Sequence, residues 1–83
     1  MYKIKITARA KKQLKYLSKA HFWAIGFVFE DLKDDPYLGK PLGRELLKKY
    51  SYRVGVYRII YIINETDNSI VIISAGHRSL VYN

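Results

Sequence analysis

The chain has 83 residues, 49% of them hydrophobic and none of them cysteine, and carries 15 Lys+Arg against 7 Asp+Glu for a formal net charge of +8. That length bounds one domain, 1–83, with a modest core, and the missing cysteine excludes a disulfide framework and a thiolate metal site. The charge points to a polyanionic partner, either nucleic acid or an acidic protein.

His21 and His77 lie far apart and form no ligand-spacing motif, so neither a metal nor another cofactor is expected. No apolar run approaches the ~20 residues of a membrane span. The opening Met1-Tyr-Lys-Ile-Lys-Ile6 alternates polar and apolar from the start, unlike a signal peptide. A cytoplasmic protein without membrane contact is expected.

Met1 to Thr7 reads as a strand with one wet face, Tyr2, Ile4 and Ile6 facing one way and Lys3 and Lys5 the other. Thr7 is placed to cap a helix from Ala8 to about Leu17. Ala10, Leu14 and Leu17 form its apolar stripe, and Arg9, Lys11, Lys12 and Lys15 make the remainder strongly basic. Ser18-Lys19 breaks the pattern. A second helix is expected from about Ala20 to Lys33, ending ahead of Pro36. Its core stripe is Phe22, Ile25, Phe29 and Leu32, widened by Val28. Trp23 and Phe27 lie four apart on a neighbouring face and either widen the core or form an exposed patch that a partner covers. The short link between the helices predicts an antiparallel helical hairpin.

Pro36 to Lys49, with Gly39, Pro41 and Gly43, reads as a loop tethered by Leu42, Leu46 and Leu47. Arg44, Lys48 and Lys49 add positive charge there. Tyr50 to Tyr61 reads as a β-hairpin about Gly55-Val56, where glycine at the first central position suits a type II′ turn. A two-residue turn pairs Val54 with Tyr57 and Arg53 with Arg58. Two arginines directly opposite each other destabilise a strand pair, unless they splay into water or hold something negative. Ile59 to Ile63 is apolar almost throughout, as in a central strand covered on both sides. Asn64 to Asn68 is a turn, and Ser69 to Ala75 is a last apolar strand. Gly76-His77-Arg78 and a tail ending Leu80-Val-Tyr-Asn83 follow. His77 alternates with Arg78, which places the two on opposite faces if the strand continues that far, and His77 reads as a structural side chain; so does His21. The expected fold is α+β in the order β-α-α-β-β-β: an antiparallel sheet with the N-terminal helical hairpin packed on one face.

From its opening strand and basic helices through Asp35-Pro36, Gly39-Lys-Pro-Leu42, Tyr52-Arg-Val-Gly-Val-Tyr-Arg-Ile-Ile-Tyr61, Gly76-His-Arg78 and Val81-Tyr82, the sequence resembles the RelE/ParE toxin superfamily of type II toxin–antitoxin modules. One branch enters the ribosomal A site and cuts mRNA; the other inhibits DNA gyrase and lacks the catalytic side chains. The resemblance assigns Arg58 to a transition-state arginine. It assigns Arg78 to transition-state stabilisation or leaving-group protonation, Tyr82 to activation of the attacking 2′-hydroxyl, and Arg53 to holding the phosphate. Ser51 stands where well-studied members of the RNA-cleaving branch carry lysine. The resemblance implies a ribosome-dependent endoribonuclease; with no ligand cluster it is expected to need no metal, and the positive charge of Arg9, Lys12, Arg44, Lys48 and Lys49 makes them candidates for further RNA contacts. An acidic RelB-like antitoxin would neutralise it in a hetero-oligomer, and the ribosome, through rRNA and A-site mRNA, would be its other partner. The alternatives are a ParE-like gyrase inhibitor, which is not an enzyme, and a basic nucleic-acid-binding domain.

Chemistry alone bears on the site as well. Arginine is always charged and its planar fork matches phosphate oxygens. Tyrosine, with an unperturbed pKa of ~10, is an awkward base that neighbouring arginines help by favouring its ionised form.

Overall fold

The computed structural model describes residues 1–42 and 49–77. Its elements are β1 (Lys3–Ile6), α1 (Ala8–Leu14), α2 (Lys19–Asp34), a 3₁₀ turn (Pro36–Leu38), β2 (Lys40–Pro41), β3 (Lys49–Val54), β4 (Tyr57–Asn64) and β5 (Ser69–His77). The strands form one sheet in the order β1-β5-β4-β3-β2, so β4 is central, as its apolar run predicts. β2, β3, β4 and β5 pair antiparallel in sequence order. β1 departs from the antiparallel expectation: it runs parallel to β5, Lys3 opposite Ser69 and Ile6 opposite Ile72. Alternation within β1 says which residues are buried, but not which strand it joins or in which direction.

α1 and α2 cover one face. The core lies between them and the sheet, with Ala10, Leu14, Ile25, Val28 and Leu32 from the helices against Ile59, Tyr61, Ile63, Ile70, Ile72 and Ala75. Tyr50, Tyr52 and Val54 of β3 pack against the same cluster. Alternation then sends Ser51 and Arg53 to the opposite face, together with their directly paired neighbours Ile60 and Arg58.

Thr7 joins the two layers. Its hydroxyl accepts the Ala10 N–H at 3.2 Å as the cap of α1 and donates to the Ile72 carbonyl at 2.9 Å. Its own N–H bonds the same carbonyl. Thr7→Ala is expected to lower unfolding stability by about 1–2 kcal/mol, measurable by urea denaturation. α1 stops at Leu14 rather than Leu17, because Tyr16 and Leu17 bond the carbonyls of Gln13 and Leu14, tightening the turn to an i→i−3 pattern. Ser18 then caps α2, its side chain accepting the His21 N–H. Gln13 finishes the docking of α1. Past Ile6 no strand among the described residues lies beside that edge of β5, and Gln13 Oε1 accepts from the Ala75 N–H at 2.9 Å and the Ser74 hydroxyl at 3.1 Å.

Two expectations for α2 are revised. Its bounds lie one residue further out at each end than expected, and Phe22, assigned to the core stripe, is exposed. The two helices do not close on each other as a tight hairpin: an apolar groove of about 400 Å³ runs between them, lined by residues that include Leu14, Phe22, Ile25 and Phe29. The segment after α2 is also more ordered than a plain loop, since it holds the 3₁₀ turn and β2.

Candidate functional site

The β3–β4 hairpin has the expected register: Val54 pairs with Tyr57 and Arg53 with Arg58. Gly55 sits at φ +62°, and Val56 does not share the positive φ, which is the type II′ signature. On its other side Arg58 is opposite Gly76 of β5. The position next to Arg58 on the third strand therefore carries no side chain. Arg53 is exposed and Arg58 half-buried.

Both arginines border a cleft of about 580 Å³, walled on the other side by Leu38, Gly39, Lys40, Pro41 and Leu42, with Ser51 and Tyr52 between. The ionisable side chains among these lining residues are Lys40, Arg53, Arg58 and the Tyr52 phenol; none is a carboxylate or a histidine. Such a cleft attracts and orients anions but offers, from the described residues, no group that titrates near neutral pH to serve as a base. Ser51 is buried at the position where a lysine would have added another cation.

The wall is fixed by Tyr61. Its phenol is fully buried under the sheet and stacks on Tyr50 at 5.6 Å between ring centroids. The Tyr61 hydroxyl donates to the Pro36 carbonyl at 2.7 Å and accepts the Gly39 N–H at 2.9 Å. A side chain at Gly39 would put its Cβ 2.5 Å from that hydroxyl and 3.0 Å from the Ser51 carbonyl, so only glycine permits this approach. The next two residues form β2 against β3, with Lys40 opposite Ser51. Outside this latch, Tyr37 stands edge-on to Tyr50 and donates to Glu65 of the β4–β5 turn. The Glu65 carboxylate holds the Tyr37 phenol well above the usual tyrosine range.

Burial pushes the Tyr61 phenol up to about 12. The folded state thus holds this proton more tightly than the unfolded chain. The associated stability is complete below the unfolded value of ~10 and is lost as pH rises through about 12. Tyr61→Phe leaves the Gly39 N–H and the Pro36 carbonyl without their partner and is expected to destabilise by about 1–3 kcal/mol. Equilibrium unfolding near neutral pH measures that loss. Phenolate absorbance during an alkaline titration should then lack one late-titrating tyrosine relative to the parent.

Of the residues anticipated for the site, Arg53 and Arg58 meet at the cleft. Lys49 shares the face of Ser51 and Arg53 on β3 but lies four residues, roughly 13 Å, along the strand from Arg53. Arg9 and Lys12 are exposed on α1, in the helical layer on the other side of the sheet, and do not line the cleft. Arg44, Lys48, Arg78 and Tyr82 lie outside the described residues. His77 pairs with Tyr57, the alternate face from Gly76 and Arg58, and its ring meets Tyr57 edge-on at 6.0 Å. His21 contacts the same tyrosine at 4.4 Å and its Nδ1 lies 2.6 Å from the Ser18 hydroxyl. Both histidines therefore serve the helical side. Lys40 and the Tyr61 latch were not singled out from the sequence, although Gly39-Lys40-Pro41 carried the signal for a close backbone approach. Among the described residues no three His, Asp or Glu side chains cluster as metal ligands.

The family model of the ParE toxin of type II toxin–antitoxin systems matches residues 4–82. Toxin RelG of Mycobacterium tuberculosis is 36% identical over 83 residues, covering 98% of this chain and 95% of that protein. Toxin RelE of the same organism is 37% identical, covering 98% and 86%. In the crystal structure of the toxin–antitoxin complex RelBE2 from Mycobacterium tuberculosis, one chain superposes with a TM-score of 0.82 at 37% identity, over 93% of this chain and 98% of that one. The archaeal RelE–RelB complex of Pyrococcus horikoshii gives a TM-score of 0.78 at 28% identity, over 96% and 98%. With the sheet, the capped helices and the arginine hairpin all in place, the chain belongs to the RelE/ParE superfamily of toxins of type II toxin–antitoxin systems.

Proposed function

We propose that this toxin is of the RelE type, an endoribonuclease that cuts mRNA in the ribosomal A site without a metal. The observation that carries this reading is the directly paired Arg53 and Arg58 bordering an open cationic cleft on the helix-free face. Two guanidinium groups at directly paired strand positions offer planar forks that match the oxygens of a phosphodiester. In the proposed reaction the 2′-hydroxyl of the substrate loses its proton and attacks the adjacent phosphorus. The bond to the 5′-oxygen breaks, leaving a 2′,3′-cyclic phosphate and a free 5′-hydroxyl. Arg58 and Arg53 neutralise charge that builds on the non-bridging oxygens. Family likeness assigns the remaining proton transfers to Tyr82 as the base and Arg78 at the leaving oxygen. An acidic antitoxin of the RelB kind would hold the toxin inactive in a hetero-oligomer, which agrees with the structural relatives having been solved as RelB–RelE complexes.

A second reading, a ParE-like inhibitor of gyrase without enzymatic activity, is favoured by the ParE family model. Ser51, in place of the lysine of the RNA-cleaving branch, favours it too. So does a cleft whose described lining binds anions but supplies no base titrating near neutral pH. Mapping mRNA 5′ ends after induction, with a supercoiling assay on purified gyrase, separates the two. New 5′-hydroxyl ends within translated codons, with gyrase unaffected, are the expected result. Intact mRNA with inhibited supercoiling would establish the second reading.

A further inference from the structure

The first half of α2 carries more apolar surface than this fold covers. His21 to Phe29 reads His-Phe-Trp-Ala-Ile-Gly-Phe-Val-Phe. Ile25 and Val28 enter the core and Phe29 packs against it, while Phe22, Trp23 and Phe27 remain 53%, 65% and 70% exposed. A helix that is hydrophobic all round is normally buried all round. In the middle of that run stands Gly26. Glycine in a helix interior lowers stability relative to alanine, and nothing among the described residues requires it here. Its φ is not positive, and a Cβ built on it meets nothing within 4 Å. The side chains around it on the helix surface, at i−4, i−3, i+3 and i+4, are Phe22, Trp23, Phe29 and Glu30. Three of the four are aromatic, and they ring a hole whose floor is bare helix backbone. The hole opens into the apolar groove between α1 and α2, with Lys11 and Lys15 also lining that groove.

We infer that the hole over Gly26 receives one apolar side chain from an amphipathic helix of the antitoxin, and that α2 forgoes helix stability at this position to keep the hole open. A bulky knob set among four residues of a facing helix is the packing that closely approaching helices use, and a helix laid in a groove is a standard mode of recognition. The partner's chemistry follows from the surroundings: a Leu, Ile or Met knob, flanked by carboxylates that meet Lys11 and Lys15. A second copy of this chain fits poorly, because each copy carries a net charge of +8 and the same lysines beside the groove. The inference rests on the antitoxin being the partner of this face.

The test uses the full chain and the antitoxin encoded beside it, with Gly26→Ala and Gly26→Leu compared with the parent. Gly26→Ala should raise the melting temperature of the free toxin by about 4–8 °C, the shift expected for a gain of this kind in a domain of this size. Gly26→Leu fills the hole from within and should keep native circular dichroism and a melting temperature no lower than the parent's. Its affinity for the antitoxin should nevertheless fall by about a hundredfold or more, the effect of blocking a central anchor. Parental affinity in Gly26→Leu, or a lowered melting temperature in Gly26→Ala, overturns the inference. So does a toxin dimer, seen by sedimentation, that Gly26→Leu dissolves while antitoxin binding is unchanged, since the occupant is then a second copy. Failure of the parent itself to bind the antitoxin would instead strike at the pairing of toxin and antitoxin, leaving the two failures distinguishable.

Discussion

Arg58→Ala is expected to reduce mRNA cleavage by about 10²–10³, the usual effect of removing a preorganised donor to a developing oxyanion, while the chain still folds and still binds its antitoxin. The position explains the size. Arg58 lies on the central strand, so its backbone is held on both sides, by Arg53 of β3 and Gly76 of β5. A guanidinium anchored there has little reorganisation left to do when charge accumulates on a phosphate. Arg53 is more exposed and nearer the edge, and Arg53→Ala should act more through substrate affinity than through the chemical step. Single-turnover cleavage on stalled ribosomes separates the effects: a loss in the limiting rate for Arg58→Ala, and a shift in half-saturation for Arg53→Ala. Cleavage by Arg58→Ala at the parental rate would remove this residue from the chemistry. The strand position also makes a stability control necessary, and melting of the variant should stay within a few degrees of the parent's. Arg58→Lys adds a second control. A point charge preserves the electrostatics but not the fork, so partial recovery is expected where two phosphate oxygens are held together.

The parts of this fold that local chemistry dictates were legible. Thr7 announces a helix start because a hydroxyl just ahead of an apolar period has few other uses, whereas Ser18, read only as a break in the pattern, also caps a helix. Gly55-Val56 sets the hairpin, and with it the pairing of Arg53 and Arg58, because turn length fixes register. The apolar run of β4 predicts its place at the centre of the sheet. What depends on distant partners was not legible. β1 alternates equally well whether its neighbour is parallel or antiparallel. Phe22 fits the core stripe by spacing, yet it is exposed, because α1 ends early and the helices stand apart around a groove. Spacing left Trp23 and Phe27 between widening the core and forming an exposed patch, and both are exposed, whereas the meaning of Gly26 needed the neighbouring space to be seen. The cleft was half legible. Its arginines follow from the hairpin, but its wall depends on a tyrosine hydroxyl reaching Pro36 and Gly39 across more than twenty residues of sequence.

Cleavage of naked RNA is expected to be slower than cleavage of the same mRNA on a ribosome with an empty A site by several orders of magnitude. In the proposed reaction Arg53, Arg58 and Lys40 of the cleft lining would hold phosphate oxygens, and phosphate contacts position a strand without choosing a bond. The described lining offers no histidine or carboxylate to remove the 2′-proton, and the family likeness assigns that step to a tyrosine, a residue type with an ordinary pKa of ~10. A weak base is effective only when the nucleophile is already in line with the phosphorus, and such alignment can be worth ~10⁵ M or more in effective concentration. A flexible single strand lying on two arginines spends little time in that geometry. A ribosome holds the codon rigidly, and its rRNA offers a polyanionic cradle for Arg9, Lys11, Lys12 and Lys15, the lysines and arginine that α1 and its C-terminal turn expose away from the cleft. On this proposal the basic helix would serve docking, since it contributes nothing to the lining of the cleft. Raising the salt concentration should weaken cleavage on the ribosome through affinity, because a contact carried by several cations falls steeply with ionic strength. Equal rates on free and ribosome-bound mRNA would point to a free-standing ribonuclease with a stronger base than the cleft provides. Cleavage of neither substrate would move the assignment to the gyrase-inhibiting branch.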